Sequence, residues 1–315
     1  VSRVPFLGTS QRVSRIGVEN ILIQSTSEAD SQEAMANLTL KNSGKNKGEA
    51  LIFNLLGKDE RKPIKDRNRL SKSDICDLQA AGYHIVTRNS SGQDKEFLQV
   101  GFKLYRPLTT WHHCELNVQI DSNGDNKADQ ELVGTRNMYV PGFSKIPNGF
   151  YSILLNANKA RELRAVFERD IADKKPKTSQ NYQQALEGIS MMKFYEQSTV
   201  GIVEVDLSLL KRNDQGKLAI KISALHESRS AVEMDDYLSD HKTKWYEIDP
   251  SIQAMSYRGM PETIEVPAGK AVNLSLVRGE GSEDLMALFP QNRSNLSQTV
   301  KDDQFSVPKV DYAFE

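Results

Sequence analysis

The chain has little of what marks several common classes of protein. Only two cysteines and two tryptophans occur among its 315 residues, so the sequence does not indicate a disulfide-dense scaffold or a multi-cysteine metal centre. No apolar run approaches the roughly 20 residues that span a bilayer, and the opening VSRVPFLGTS lacks the apolar core of a signal peptide. The sequence predicts no membrane span, and its start at Val1 is typical of a mature or excised piece.

An excess of charge of one sign is also missing. The 41 Lys and Arg residues nearly cancel the 42 Asp and Glu residues. Binding to nucleic acid requires a concentrated basic face, which this balance does not supply. The charge balance therefore predicts no nucleic-acid partner. Because domains commonly contain about 100–200 residues, the chain length predicts two hydrophobic cores.

The motifs of the common catalytic classes are missing too. Thr9 and Ser10 stand in LGTSQ, which contains the Gly-Thr-Ser of the subtilisin nucleophile motif, but Gln11 and Arg12 follow where that motif continues differently. No His-Gly-Thr or Asp-Ser/Thr-Gly motif accompanies it, and no phosphate loop, HExxH pair or dinucleotide fingerprint occurs. The sequence therefore assigns no catalytic residue to this chain.

Short runs of alternating apolar and polar residues are abundant. They fill the chain before residue 156 and resume after residue 197, with Gly, Asn and Asp in the turns between them. This pattern predicts a mainly β fold with two antiparallel β-sandwich modules, of the fibronectin type III or jelly-roll kind. The first module is predicted over 1–155, and the second module with a C-terminal tail is predicted over 198–315.

A helical insertion is predicted between the modules, over 156–197. In NANKARELRAVFERDIADKK, Leu163, Phe167 and Ile171 recur every four residues, with Asn156 or Asn158 as the candidate N-cap. Pro176 follows where the helix would end. The segment NYQQALEGISMMKFY predicts a second helical patch.

One loop between two predicted strands carries regularly spaced oxygen ligands. In DSNGDNKAD, side-chain oxygens or a backbone carbonyl stand at positions 1, 3, 5, 7 and 9, namely Asp121, Asn123, Asp125, Lys127 and Asp129. Calcium takes six to eight oxygens, and alternate residues of a tight turn direct theirs to one point. Asn126 at position 6 tolerates the left-handed backbone, whereas Leu132 at position 12 and the flanking strands exclude an EF-hand. The loop predicts bound calcium, with an ordinary Asx turn as the alternative; catalysis would require carboxylates in contrasted environments.

The cysteines and histidines include the residue types that bind zinc: Cys76, His84, His112, His113 and Cys114. Strand alternation argues against zinc, because it places the two adjacent histidines on opposite faces. A Cys76–Cys114 disulfide and a pair of buried thiols both remain open.

Two other features are candidates for ligand binding, each with a structural alternative. Trp111 is expected on the strand face opposite Cys114, where it either contacts a ligand or caps a sandwich edge. The acidic residues around Tyr237 either bind a ligand or form a solvated loop. They are Glu233, Asp235, Asp236 and Asp240.

Several segments resemble the non-catalytic region that follows the catalytic domain in large bacterial subtilisin-like serine proteases. They are ANLTLKNSGKNKGEALIFNLLGKD, CDLQAAGY, FKLYRPLTTWHHCELNVQIDSNGDNKADQELVG, YSILLNANKARELR, DDYLSDHKTKWYEI and LMALFPQN. The best marker is the strand, loop and strand around Asp121. The resemblance implies a secreted or cell-surface parent, in which a calcium-stabilised accessory region accompanies an N-terminal protease domain of the same precursor and contributes to binding a protein substrate or a cell-surface ligand. The alternative is a free-standing adhesion or ligand-binding module of the cell envelope.

Overall fold

The fold is mainly β, as the sequence predicts. The structure is a computed structural model and describes residues 14–25, 34–60, 76–90, 92–108, 111, 114–136, 146–173, 182–195, 198–226, 235–238, 244–250, 255–256, 262–278 and 285–290. Several antiparallel sheets and one α-helix make up these residues, consistent with a β-sandwich-like fold. The predicted fold class is therefore confirmed.

Most strands coincide with the alternating segments of the sequence. In chain order they are β1 Ile16–Ser25, β2 Ala34–Asn42, β3 Gly48–Lys58, β4 Leu78–Ser90, β5 Gln93–Leu108, β6 Cys114–Asp121, β7 Gln130–Arg136, β8 Phe150–Asn156, β9 Leu186–Met191, β10 Lys193–Phe194, β11 Ser198–Asp206, β12 Leu218–His226, β13 Asp235–Tyr237, β14 Tyr246–Ile248, β15 Met255–Ser256, β16 Ile264–Val266, β17 Ala271–Arg278 and β18 Leu285–Leu288. The helix α1 spans Ala157–Ala172, and short 3-10 helices span Tyr182–Ala185 and Leu207–Leu209.

These strands form three sheets. The first sheet has the order β1-β2-β17-β15. The second has the order β10-β11-β5-β4-β3-β16, with β18 also paired to β3, and the third has the order β13-β12-β6-β7-β8-β9, with β14 also paired to β12. The largest core joins the second and third sheets, for example through Phe102 of β5 and Val118 of β6. Another core joins the first sheet to β3 and β16, for example through Leu40 and Ile52.

Strand pairing crosses the predicted boundary between the two modules. In the described residues, β11 pairs with β5 and β12 pairs with β6, while β17 pairs with β2 and both β16 and β18 pair with β3. The segments predicted as modules 1–155 and 198–315 therefore share sheets. Alternation identifies the buried face of a strand but not the strand beside it. Strand pairs between the two predicted modules could therefore not be predicted from the sequence pattern.

The helix α1 confirms one part of the predicted insertion, while the other part is a strand. Asn156 caps α1, since its Oδ1 accepts a hydrogen bond of 3.0 Å from the backbone N–H of Lys159. The segment predicted as a second helical patch has only a 3-10 turn at Tyr182–Ala185 and then continues as β9 and β10. Pairing with β8 explains the difference, because β9 satisfies backbone groups of β8 that would otherwise lie on a sheet edge. No helix of the described chain has the length and apolar character needed to cross a membrane.

Candidate calcium loop and its surroundings

The β6–β7 hairpin positions the acidic loop. Ile120 and Gln130 are register partners at its base, and the backbone N–H of Asp129 donates to the carbonyl of Ile120 at 2.8 Å. Asp121 is 3% exposed, whereas Asn123 and Asp125 are exposed. The loop is therefore anchored at its first residue and faces solvent at its tip.

Three successive Asx turns wind the tip. Side-chain oxygens at positions 1, 3 and 5 each accept the backbone N–H two residues further on. The bonds run from Asn123 N to Asp121 Oδ1 at 3.0 Å, from Asp125 N to Asn123 Oδ1 at 2.8 Å and from Lys127 N to Asp125 Oδ1 at 2.9 Å. This repeat places the oxygen-bearing side chains of alternate residues on one side of a tight coil.

Asn126 adopts the left-handed conformation that the sequence allowed for position 6. Its φ is +62°, and its backbone N–H donates to Asp121 Oδ2 at 2.7 Å. The other oxygen of Asp121 also accepts the N–H of Gly124 at 2.7 Å. Asp121 therefore collects three backbone donors and holds the coil closed.

The last acidic residue connects the loop to the helix. Asp129 Oδ2 accepts from the backbone N–H and the hydroxyl of Ser122, at 3.0 and 2.6 Å. Its carbonyl accepts from the N–H of Ala157, the first residue of α1, at 2.9 Å. Arg161 of α1 also donates to the carbonyl of Ala128 at 3.2 Å. A change in the order of the loop would therefore also change the stability of the first turn of α1.

The donor set fits a hard cation. Carboxylate, amide and carbonyl oxygens are the ligands that calcium prefers, and the second carboxylate oxygen of Asp125 is an additional acceptor. Among the described residues, no group of three or more His, Cys, Asp or Glu side chains has metal-binding geometry. Calcium at Asp121, Asn123, Asp125, Lys127 and Asp129 stays a prediction.

The two cysteines lie together in the main core, and the structure holds them as thiols. Both are buried. Burial and then a hydrogen bond with the Cys76 thiol raise the pKa of Cys114 well above its usual value. The thiols are therefore adjacent, protonated and out of solvent.

The histidines do not add to this pair in the described residues. His84 packs edge-on against Phe53, with ring centroids 6.1 Å apart, and burial lowers the pKa of His84 to about 4. His112 and His113 lie outside the described residues. His84 is thus a half-buried histidine that is uncharged at neutral pH.

Trp111 is not a surface aromatic. It is 2% exposed, belongs to the same core as Cys114 and donates its indole N–H to the carbonyl of Tyr195 at 3.3 Å. The expected placement opposite Cys114 was wrong, because Trp111 lies in a 3-10 turn ahead of β6 and does not follow strand alternation. A ligand-contact role from solvent is excluded for this side chain.

The acidic run around Tyr237 is partly structural. Asp236 is 3% exposed, and its Oδ2 accepts a hydrogen bond from the backbone N–H of Leu78 at the start of β4. Glu233 and Asp240 lie outside the described residues. Asp236 therefore joins two sheets and does not face a ligand.

Sequence reasoning missed a charged network on the second sheet. Arg88 of β4 donates paired hydrogen bonds to Glu204 of β11, at 2.7 and 2.5 Å, and to Glu262, at 3.1 and 2.8 Å. Gln99 donates to both carboxylates, and Lys193 pairs with Glu262. The signal was available, since Glu204 is an acidic residue within the apolar run TVGIVEV.

In comparisons with protein-family models, curated proteins and solved structures, the chain gives no significant match.

Proposed function

We propose that this chain is a calcium-stabilised, non-catalytic β-sandwich region that serves as an accessory region of a secreted or cell-surface subtilisin-like serine protease. Its partner is the N-terminal protease domain of the same precursor. The observation that carries the calcium part is the coil of the acidic loop, in which Asx turns at Asp121, Asn123 and Asp125 precede the left-handed Asn126. The segments that resemble subtilase accessory regions support the rest.

Calcium would act on folding and not on chemistry. The side chains of Asp121, Asn123, Asp125 and Asp129 and the carbonyl of Lys127 would hold it. Three carboxylates within nine residues repel one another, and a bound cation removes that repulsion. Because Asp129 and Ala128 contact α1, the cation would also stabilise the start of the helix.

A calcium titration of thermal stability tests the proposal. Extracellular calcium sites bind with dissociation constants of about 10⁻⁴–10⁻³ M, and calcium at ten times that constant stabilises the folded state by roughly 1.4 kcal/mol. We expect the melting temperature to rise by about 3 °C over that in chelator, at about 2 °C per kcal/mol. Magnesium should be a poor substitute, since it requires a tight octahedral site.

Asp125→Ala is the most informative variant. Asp125 is exposed and holds one local turn, whereas Asp121 accepts three backbone N–H groups, so its removal would also damage the loop without calcium. Asp125→Ala should abolish the calcium response with little effect on stability in chelator. Asp214→Ala, at an exposed acidic residue in a different turn, is the matched control and should keep the response. Equal melting temperatures of the parent protein in calcium and in chelator would show that the loop is an ordinary turn.

The non-catalytic part has its own test. The purified chain should show no casein hydrolysis. Hydrolysis that a serine-directed inhibitor blocks would instead make Ser10 a candidate nucleophile. Ser10 lies outside the described residues. The accessory role requires a precursor with Asp, His and Ser triad motifs ahead of Val1. A precursor without those motifs would favour a free-standing adhesion or ligand-binding module of the cell envelope.

A further inference from the structure

The outer face of the third sheet is divided between a covered half and a polar half. Along β6, Leu116 and Val118 point into the main core, so Asn117 and Gln119 point to the opposite side. Helix α1 packs over β7 and β8 on that side, through Ala160 and its neighbours in a small core. The part of the face over β6 and β12 carries polar and aromatic side chains.

Two aromatic side chains border this polar half. Lys221 of β12 places its ammonium 4.8 Å from the ring centroid of Trp245 and 5.7 Å from that of Tyr237. All three side chains are half-buried. One border of the polar half is therefore an aromatic pair, arranged around a cation and within reach of solvent.

The opposite border is charged but balanced. Glu131 of β7 is 7% exposed and interacts electrostatically with Arg164 and Arg161 of α1 and with Lys221. Arg164 also interacts with Glu115 of β6 and with Tyr182. Acidic and basic groups are therefore mixed at this border, so it presents hydrogen-bond donors and acceptors of both charges.

Asn117 lies between the two borders and is short of a hydrogen-bond donor. Its register partners are Ser223 of β12 and Val133 of β7, and the residue is 8% exposed. Its Oδ1 is buried and accepts no hydrogen bond from the described residues. A buried acceptor without a donor is unfavourable, so a ligand hydroxyl that reaches Asn117 would form a favourable hydrogen bond.

We propose that this polar face, formed by Asn117, Gln119, Glu131, Lys221, Tyr237 and Trp245, binds a neutral oligosaccharide. A sugar presents apolar C–H surfaces to aromatic rings and hydroxyls to amides and carboxylates, which is the chemistry that the face offers. The balanced charge disfavours a polyanion. The backbone of β6, at the centre of the face, pairs with β12 and β7, so a peptide strand cannot be added there.

The dimensions suit a short saccharide. Neighbouring strands lie about 4.8 Å apart, so the distance from β7 across β6 and β12 to β13 is roughly 14 Å. The proposal goes beyond the accessory role and does not depend on calcium, because none of its residues belongs to the acidic loop.

The test uses the two tryptophans and a panel of neutral hexasaccharides built from glucose, mannose, galactose or N-acetylglucosamine. Trp111 is buried, so acrylamide should quench mainly Trp245. At least one hexasaccharide should protect Trp245 from quenching and give a calorimetric dissociation constant below 1 mM, on the order expected for a small exposed site. Dextran sulfate and an unfolded casein peptide should bind at least about tenfold more weakly.

Three variants separate recognition from folding. Trp245→Ala and Asn117→Leu should each weaken binding by about tenfold or more. Asn117→Leu should leave the melting temperature unchanged or raised, because an apolar group of similar shape replaces the acceptor that lacks a donor. Lys95→Ala, at an exposed side chain of the second sheet, should leave affinity unchanged. Absence of binding across the panel, preference for the sulfate or the peptide, or affinity unaltered by Trp245→Ala would each overturn the proposal.

Discussion

Replacing Arg88 with Met should lower the free energy of unfolding by a large amount for the loss of one polar side chain. The side chain of Glu204 is 7% exposed and accepts two hydrogen bonds from Arg88, while those of Glu262 and Arg88 are 25% and 33% exposed. Removing one partner of a buried ion pair costs about 3–5 kcal/mol. Solvent screening at Arg88 and the nearby Lys193 reduce this to about 2–3 kcal/mol, which corresponds to roughly 4–6 °C in melting temperature at about 2 °C per kcal/mol.

The effect should depend on pH in a defined direction. Burial opposes ionisation of Glu204, but hydrogen bonds from Arg88 and Gln99 and the charges of Arg88 and Lys193 outweigh it, so the pKa of Glu204 is lowered. A lowered folded-state pKa contributes stability above the unfolded value of about 4.3, and that stability is lost as pH falls through the folded value. The difference between the parent and Arg88→Met should therefore be full at pH 7 and shrink below about pH 4.3.

Urea denaturation of both proteins at pH 7 and at acidic pH measures this difference. Arg106→Met, at another half-buried arginine of the second sheet, is the matched control and should change stability by no more than about 0.5 kcal/mol. Combining Arg88→Met with Glu204→Gln should be less destabilising than the sum of the two changes, because no buried carboxylate is left unpaired. A loss of stability at pH 7 equal to that of Arg106→Met, or a loss that grows towards acidic pH, would refute the stabilising role of the ion pair between Arg88 and Glu204.

Two further predictions concern the cysteine pair and the loop backbone. Because Cys76 and Cys114 are buried thiols, the protein should yield two titratable thiols when it is unfolded without reductant. Oxidation to a disulfide would add about 4 kcal/mol by the chain-entropy relation for the 38-residue separation from Cys76 to Cys114, and a protein that yields no thiol would contradict the dithiol. Asn126→Gly should leave stability within about 0.5 kcal/mol of the parent, whereas Asn126→Val should cost about 1–2 kcal/mol, because a β-branched residue is strained at φ +62°. Similar denaturation midpoints for the two Asn126 variants would contradict that backbone argument.

Local features of the candidate site were predictable because they depend on short-range chemistry. The left-handed Asn126 and the cap at Asn156 follow from residue type and spacing, and both occur in the structure. The burial of Trp111 and Asp236 was not predictable from alternation. It depends on a turn ahead of β6 and on a contact between β13 and the start of β4.

The sequence by itself determined the class of fold, the position of most strands, the helix α1 and the spacing of oxygen-bearing residues in the acidic loop. Each of these is encoded within about ten to twenty residues, through apolar periodicity and turn residues. Only the tertiary structure decided that β11 lies beside β5 and β12 beside β6, and that Arg88, Glu204 and Glu262 meet. Strand pairing over more than 90 residues depends on which buried faces pack together, and the alternation of each strand is compatible with many partners.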